Sequence, residues 1–96
     1  MSEITIESAR QQVREFIAES AQTKGVLTVT DDESLVANGV MDSLEFFRLV
    51  GFVEENLGFI VDDKDVQLEN FQSISAILRY VESKLEVNLE KAQALV

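Results

Sequence analysis

Three stretches of this chain repeat apolar residues at helical spacing, and nowhere does a strand-like run find a second run to pair with. In the first, from about Thr5 to Ala21, Ile6, Ala9, Val13, Phe16 and Ile17 form one stripe, with Glu7, Arg10, Arg14 and Glu15 off it. In the second, Phe46, Leu49, Val50, Val53 and Leu57 share an arc over residues 43–57, and Gly58 suits the left-handed position after a helix. In the third, Ser73 reads as a cap before Ile74, Ile77, Leu78, Val81 and Leu85. Leu89 and Ala92 fit a continuation of that helix. Val26, Leu27 and Val29 have strand propensity but no partner, so they are predicted to anchor a loop on the helices. Leu35 and Val36 can supply a short helical turn within it, and residues 64–70 a short helix or single turn.

The predicted fold class is therefore all-α: a four-helix bundle of three main helices plus one short helix, with a long first loop over residues 22–42. A chain of 96 residues allows one domain, here 1–96, with a core over about 5–86 and residues 87–96 as a helical extension or tail.

The formal charge of −10 opposes nucleic acid and anionic lipid as partners and favours basic protein surfaces. Residues 31–69 hold eleven of the eighteen acids but only two of the eight bases, Arg48 and Lys64. The acidity is thus concentrated around the second helix and the turn after it. A solvated face is the ordinary explanation of such a charge run; a partner surface is the alternative. No apolar run approaches a membrane span, and Met1-Ser2-Glu3 does not open a signal peptide, so a cytoplasmic protein without membrane insertion is expected, with nothing demanding more than a monomer.

Histidine and cysteine are both absent, which removes Ser-His-Asp and Cys-His nucleophiles, the common zinc sites and disulfides. No glycine-rich phosphate cradle is present, and paired carboxylates are expected by chance in so acidic a chain. The run Asp62-Asp63-Lys64-Asp65 lacks the glycine and distal glutamate of a calcium loop. No metal site, no catalytic residue and no enzyme is expected.

What remains is Asn38-Gly39-Val40-Met41-Asp42-Ser43-Leu44-Glu45, where the polar loop gives way to the second helix. Asp42 followed three residues later by Glu45 reads as a capping box, which leaves the hydroxyl of Ser43 free on the first turn. There, unpaired amides and the helix dipole favour a phosphate. The other reading is that Ser43 is itself the cap. On the helical wheel Leu44, Arg48, Gly51 and Glu55 fall opposite the core arc, with Phe47 at its margin. Two apolar residues beside the serine suggest partner contacts, and charge reversal at Arg48 is expected to alter partner choice while leaving the fold intact.

Gly39-Val40-Met41-Asp42-Ser43-Leu44, preceded by an acidic loop and followed by an apolar helix, resembles the attachment motif of acyl carrier proteins and peptidyl carrier domains. The order of elements over residues 5–86 is similar as well. The resemblance implies a bundle of that type and a 4'-phosphopantetheine arm on Ser43, taken from coenzyme A by a phosphopantetheinyl transferase. It also implies that the thiol of the arm carries an acyl or aminoacyl group as a thioester. Asp42, Leu44, Glu45, Phe47, Arg48, Gly51 and Glu55 would meet the transferase and other partners, Asp42 and Glu45 as part of an acidic rim.

Arg48 and Gly51 depart from the fatty-acid synthesis pattern. Gly39, Val40-Met41 and Glu69-Asn70-Phe71-Gln72-Ser73-Ile74 look more like stand-alone aminoacyl and D-alanyl carriers. The expectation is a dedicated carrier that serves an adenylating ligase and a downstream acyl-transferring enzyme. A general fatty-acid carrier, an acidic helical adaptor with a structural Ser43 and an unmodified carrier-like regulator are the alternatives.

Overall fold

A computed structural model describes the backbone of residues 5–94 and the side chains of residues 5–86. Helix α1 (Ile6–Thr23) starts where the Thr5 hydroxyl accepts the Ser8 amide at 3.0 Å. Its apolar stripe buries Ala9, Val13, Ile17 and Ala21, and Ser20 lies among them. The helix closes at Lys24, whose amide reaches back to Ser20 and Ala21, and the chain reverses through Gly25 at φ 75°.

Of the first apolar residues of the long connection, Val26 and Val29 are half-buried and pack on the core as expected, whereas Leu27 is 97% exposed and is no anchor. The deeper hold is at the far end. The anchors are Leu35, Val40 and Met41, all buried, with Leu35–Gly39 forming the single helical turn expected there. Backbone bonds fix them: Leu35 N–H to Gln72 O at 2.9 Å, Met41 N–H to Leu35 O at 2.7 Å, and Ser75 N–H to Asp31 O at 2.9 Å. Arg14 adds a two-pronged pair to Asp31, at 2.7 and 3.0 Å, which holds the loop on α1.

Helix α2 (Ser43–Leu57) buries Leu49, Val53 and Leu57 and ends at Gly58, φ 77°. Phe59 and Val61 turn inward with Ile60 outward. The expected short helix is divided into a 3-10 turn at Asp63–Asp65 and the one-turn helix α3 (Leu68–Phe71). The Tyr80 hydroxyl donates to Asp65 at 3.1 Å and Lys84 sits 3.0 Å from the same carboxylate, so the acidic turn is tied to the last helix. Burial, then the Asp65 bond, raises the Tyr80 phenol above its ordinary range. Among the described residues no acidic cluster has the form of a metal site.

Helix α4 (Ile74–Ala94) begins with the Ala76 amide on Ser73 Oγ at 3.1 Å and buries Ile74, Ile77, Leu78, Val81 and Leu85 as the stripe predicted. It extends well past residue 86, while the side chains of Leu89 and Ala92 lie outside the described residues. α1 packs on α4 and on α2, and α3 on α4, so the four helices form a small all-α bundle around one continuous core. Among the described residues no strand is present and no helix is long and apolar enough to cross a membrane.

Phe71, fully buried, joins the bundle's second half, with Phe46 and Tyr80 each 5.3 Å away by ring centroid. Phe71→Ala is expected to cost about 3–5 kcal/mol in urea unfolding; a loss near that of a surface substitution contradicts this packing. Four cross-element carboxylates, Asp31, Asp42, Asp65 and Glu82, are held below their ordinary range, first by hydrogen bonds from Arg14, Lys24, Lys84 and Arg10 respectively. Each takes up its proton at lower pH folded than unfolded. Their stabilisation is therefore complete above the ordinary carboxylate value of about 4 and is lost as pH falls through the lowered values. The urea midpoint is expected to fall between about pH 5 and pH 3, and to fall less in Lys84→Met. A midpoint that rises on acidification would mean that relief of charge repulsion outweighs these pairs.

Candidate functional site

The start of α2 is built by three segments: the end of the loop, the end of α1 and the first turn of α2 itself. Asp42 has extended backbone and caps the helix, one carboxylate oxygen accepting the Glu45 amide at 2.8 Å. Its other oxygen accepts from Lys24 Nζ at 2.7 Å, and the same ammonium donates to Val40 O at 3.0 Å. The Lys24 bond, then the Glu45 amide, holds the Asp42 carboxyl below its ordinary range. Since Asp42 is the cap, Ser43 is not. It stands exposed as the first residue of α2, and its hydroxyl has no hydrogen-bond partner among the described residues. The Phe46 amide closes onto Asp42 O at 2.9 Å, whereas the Ser43 and Leu44 amides have no acceptor among the described residues. An exposed hydroxyl, two unpaired amides and the positive end of a 15-residue helix therefore meet at one point.

Glu45 is not where the sequence put it. Only 4% exposed, it accepts the Ser20 hydroxyl of α1 and Arg48 Nη1 at 3.1 Å. The capping box is therefore one-sided: Asp42 caps the Glu45 amide, but the Glu45 side chain turns inward to α1 instead of returning to Asp42. A buried carboxylate cannot belong to an acidic rim or touch a partner. A short polar residue in line with the α1 stripe, Ser20, was the available signal for it. Arg48 is exposed along its flank yet engaged twice, by Glu45 and over the Phe16 ring at 5.8 Å.

The other expected contact residues do lie outside. Leu44 is 71% and Phe47 68% exposed, the latter more than its marginal wheel position implied. Glu55 is exposed, and Gly51 is half-buried with open space where a Cβ would stand. Ser43, Leu44, Phe47, Arg48, Gly51 and Glu55 thus run along the outer side of α2. Lys24 escaped the sequence reading, because nothing in local spacing connects it to a residue eighteen positions later. A cleft of about 460 Å³ lies between α1, Val26–Val29 and Ile74, and includes no residue of α2. Exposed at the start of α2, the Ser43 hydroxyl is placed to present a group.

The chain matches no known family profile, no characterised protein and no solved structure.

The pairing of Arg48 with buried Glu45 revises what its charge reversal should do. Arg48→Glu sets two carboxylates together, one of them buried, and is expected to destabilise the fold by about 2 kcal/mol, less than for a fully buried pair because Arg48 faces solvent. Urea unfolding of Arg48→Glu beside Arg48→Met checks this, and equal stability of the two variants contradicts it.

Proposed function

We propose that this chain is a carrier protein: Ser43 bears a 4'-phosphopantetheine arm, and partner enzymes load and unload an acyl or aminoacyl group on it. The observation that carries this reading is the Ser43 hydroxyl, exposed and relieved of capping by Asp42 at the start of α2. The residues present suit the arm's phosphodiester. The unpaired Ser43 and Leu44 amides and the helix dipole favour an anion there, and Lys24 cancels the charge of the neighbouring Asp42. When bound, 4'-phosphopantetheine supplies the thiol that a chain without cysteine lacks, and with it the thioester that holds the cargo.

On this reading Ser43 Oγ attacks the phosphorus that carries the pantetheine half of coenzyme A. The new Oγ–P bond replaces the P–O bond to adenosine 3',5'-bisphosphate, which leaves. The Lys24 and Glu45 bonds hold the Asp42 carboxyl below its ordinary range and make it a weak base, so the serine proton passes to a base on the transferase. Leu44 and Phe47 offer that enzyme and later partners apolar contact, with Arg48, Gly51 and Glu55 beside them. The partners proposed are a phosphopantetheinyl transferase, an adenylating ligase and a downstream acyl-transferring enzyme. Gly39, Val40-Met41 and the segment Glu69–Ile74, which resemble the aminoacyl and D-alanyl carriers, favour an amino acid as cargo over a long fatty acid.

Incubating the apo protein with coenzyme A, magnesium and a broad-specificity transferase, then weighing it intact, tests the proposal. One phosphopantetheine is expected on the wild type and none on Ser43→Ala. No gain, or a gain that survives Ser43→Ala, overturns it and leaves the acidic helical adaptor as the reading.

A further inference from the structure

Resting on Ser43 as the attachment residue, we propose that Lys24 is the positioning residue of the site: it immobilises Asp42 and cancels its charge, so that the serine hydroxyl is presented free. The acidic stretch 31–69 offers only Arg48 and Lys64 as bases, and Arg48 is taken by Glu45. The cation at the start of α2 comes instead from the end of α1. The Lys24 side chain is only 25% exposed, an ordering that a long flexible chain resists unless its head is well bound. Its ammonium spans Val40 O and Asp42 Oδ2, the two groups just ahead of Ser43.

Those bonds complete a set that leaves the approach to the serine no slack. Val40 N–H donates to Asn38 Oδ1 at 3.0 Å, Met41 N–H to Leu35 O at 2.7 Å, and both side chains are buried. With one oxygen on the Glu45 amide and the other on Lys24, the Asp42 carboxylate can turn to accept from the Ser43 hydroxyl only by giving up one of those bonds. The same pair removes a net negative charge from the path of the polyanionic diphosphate donor. Without Lys24, Asp42 becomes mobile and uncompensated, one residue from the nucleophile.

Transferase kinetics on Lys24 variants test this. Lys24→Gln, which keeps a donor for Val40 but loses the charge, is expected to lower the rate at saturating carrier by about tenfold. The KM for the carrier should stay within about threefold, because Leu44 and Phe47 are untouched. Lys24→Arg should restore the rate to within about threefold of wild type. In an Asp42→Asn background, Lys24→Gln should cost less than about twofold, since Lys24 acts through that carboxylate. Wild-type rates in Lys24→Gln, or a full loss that persists beside Asp42→Asn, overturn the assignment. A wild type that gains no arm sinks the carrier reading instead. Hydrogen exchange at the Glu45 amide then judges the strap alone: faster exchange in Lys24→Gln supports it, and unchanged exchange overturns it.

Discussion

One carboxylate, that of Asp42, is bound at both oxygens, and the start of α2 depends on it. Oδ1 satisfies a first-turn amide, and Oδ2 receives an ammonium from the far end of another helix. The first bond relieves Ser43 of capping. The second joins the end of α1 to the start of α2 across a loop of about twenty residues. One turn back along α1 and one turn into α2 a second polar link, Ser20 to Glu45 with Arg48 behind it, repeats the connection inside the core. Two polar ties thus fix where one hydroxyl stands, while the apolar packing of Leu49, Val53 and Leu57 fixes the helix that carries it.

The charge pattern reads differently once these ties are seen. A net negative charge crowded into residues 31–69 suggested an acidic rim around the serine. Beside Ser43, however, Asp42 is matched by Lys24 and Glu45 is buried against Arg48. The immediate surroundings are close to neutral, with Leu44 and Phe47 as the most prominent exposed groups. Acids without a partner among the described residues, such as Asp32, Asp63 and Glu69, lie exposed elsewhere in the segment. On the proposed carrier reading, long-range steering of a basic partner falls to those acids and short-range apolar contact to Leu44 and Phe47.

Much of the bundle was legible because helices announce themselves locally. The stripes of α1 and α4, the Asp42 and Ser73 caps and the Gly58 stop all rest on residues within a few positions of one another, and each stands where the pattern placed it. The failures share a physical cause: each depended on what a distant segment supplied. Leu27 reads like Leu35 in sequence, yet only Leu35 meets a backbone acceptor, Gln72 O, that carries it into the core. Glu45 satisfies a local capping rule until Ser20 offers a better partner from α1. Lys24 marks a helix end by itself and gains its role only when the loop returns Val40 and Asp42 to it. Ser43 was legible only as one of two candidates for the cap, and it is the Asp42 bond to the Glu45 amide that leaves its hydroxyl free.

The most direct measurement is peptide mapping by tandem mass spectrometry of the protein isolated from its own host. The account expects a phosphopantetheine on the peptide containing Ser43, in a substantial share of the molecules. Protein that is uniformly unmodified, or modified only at another residue, would contradict it.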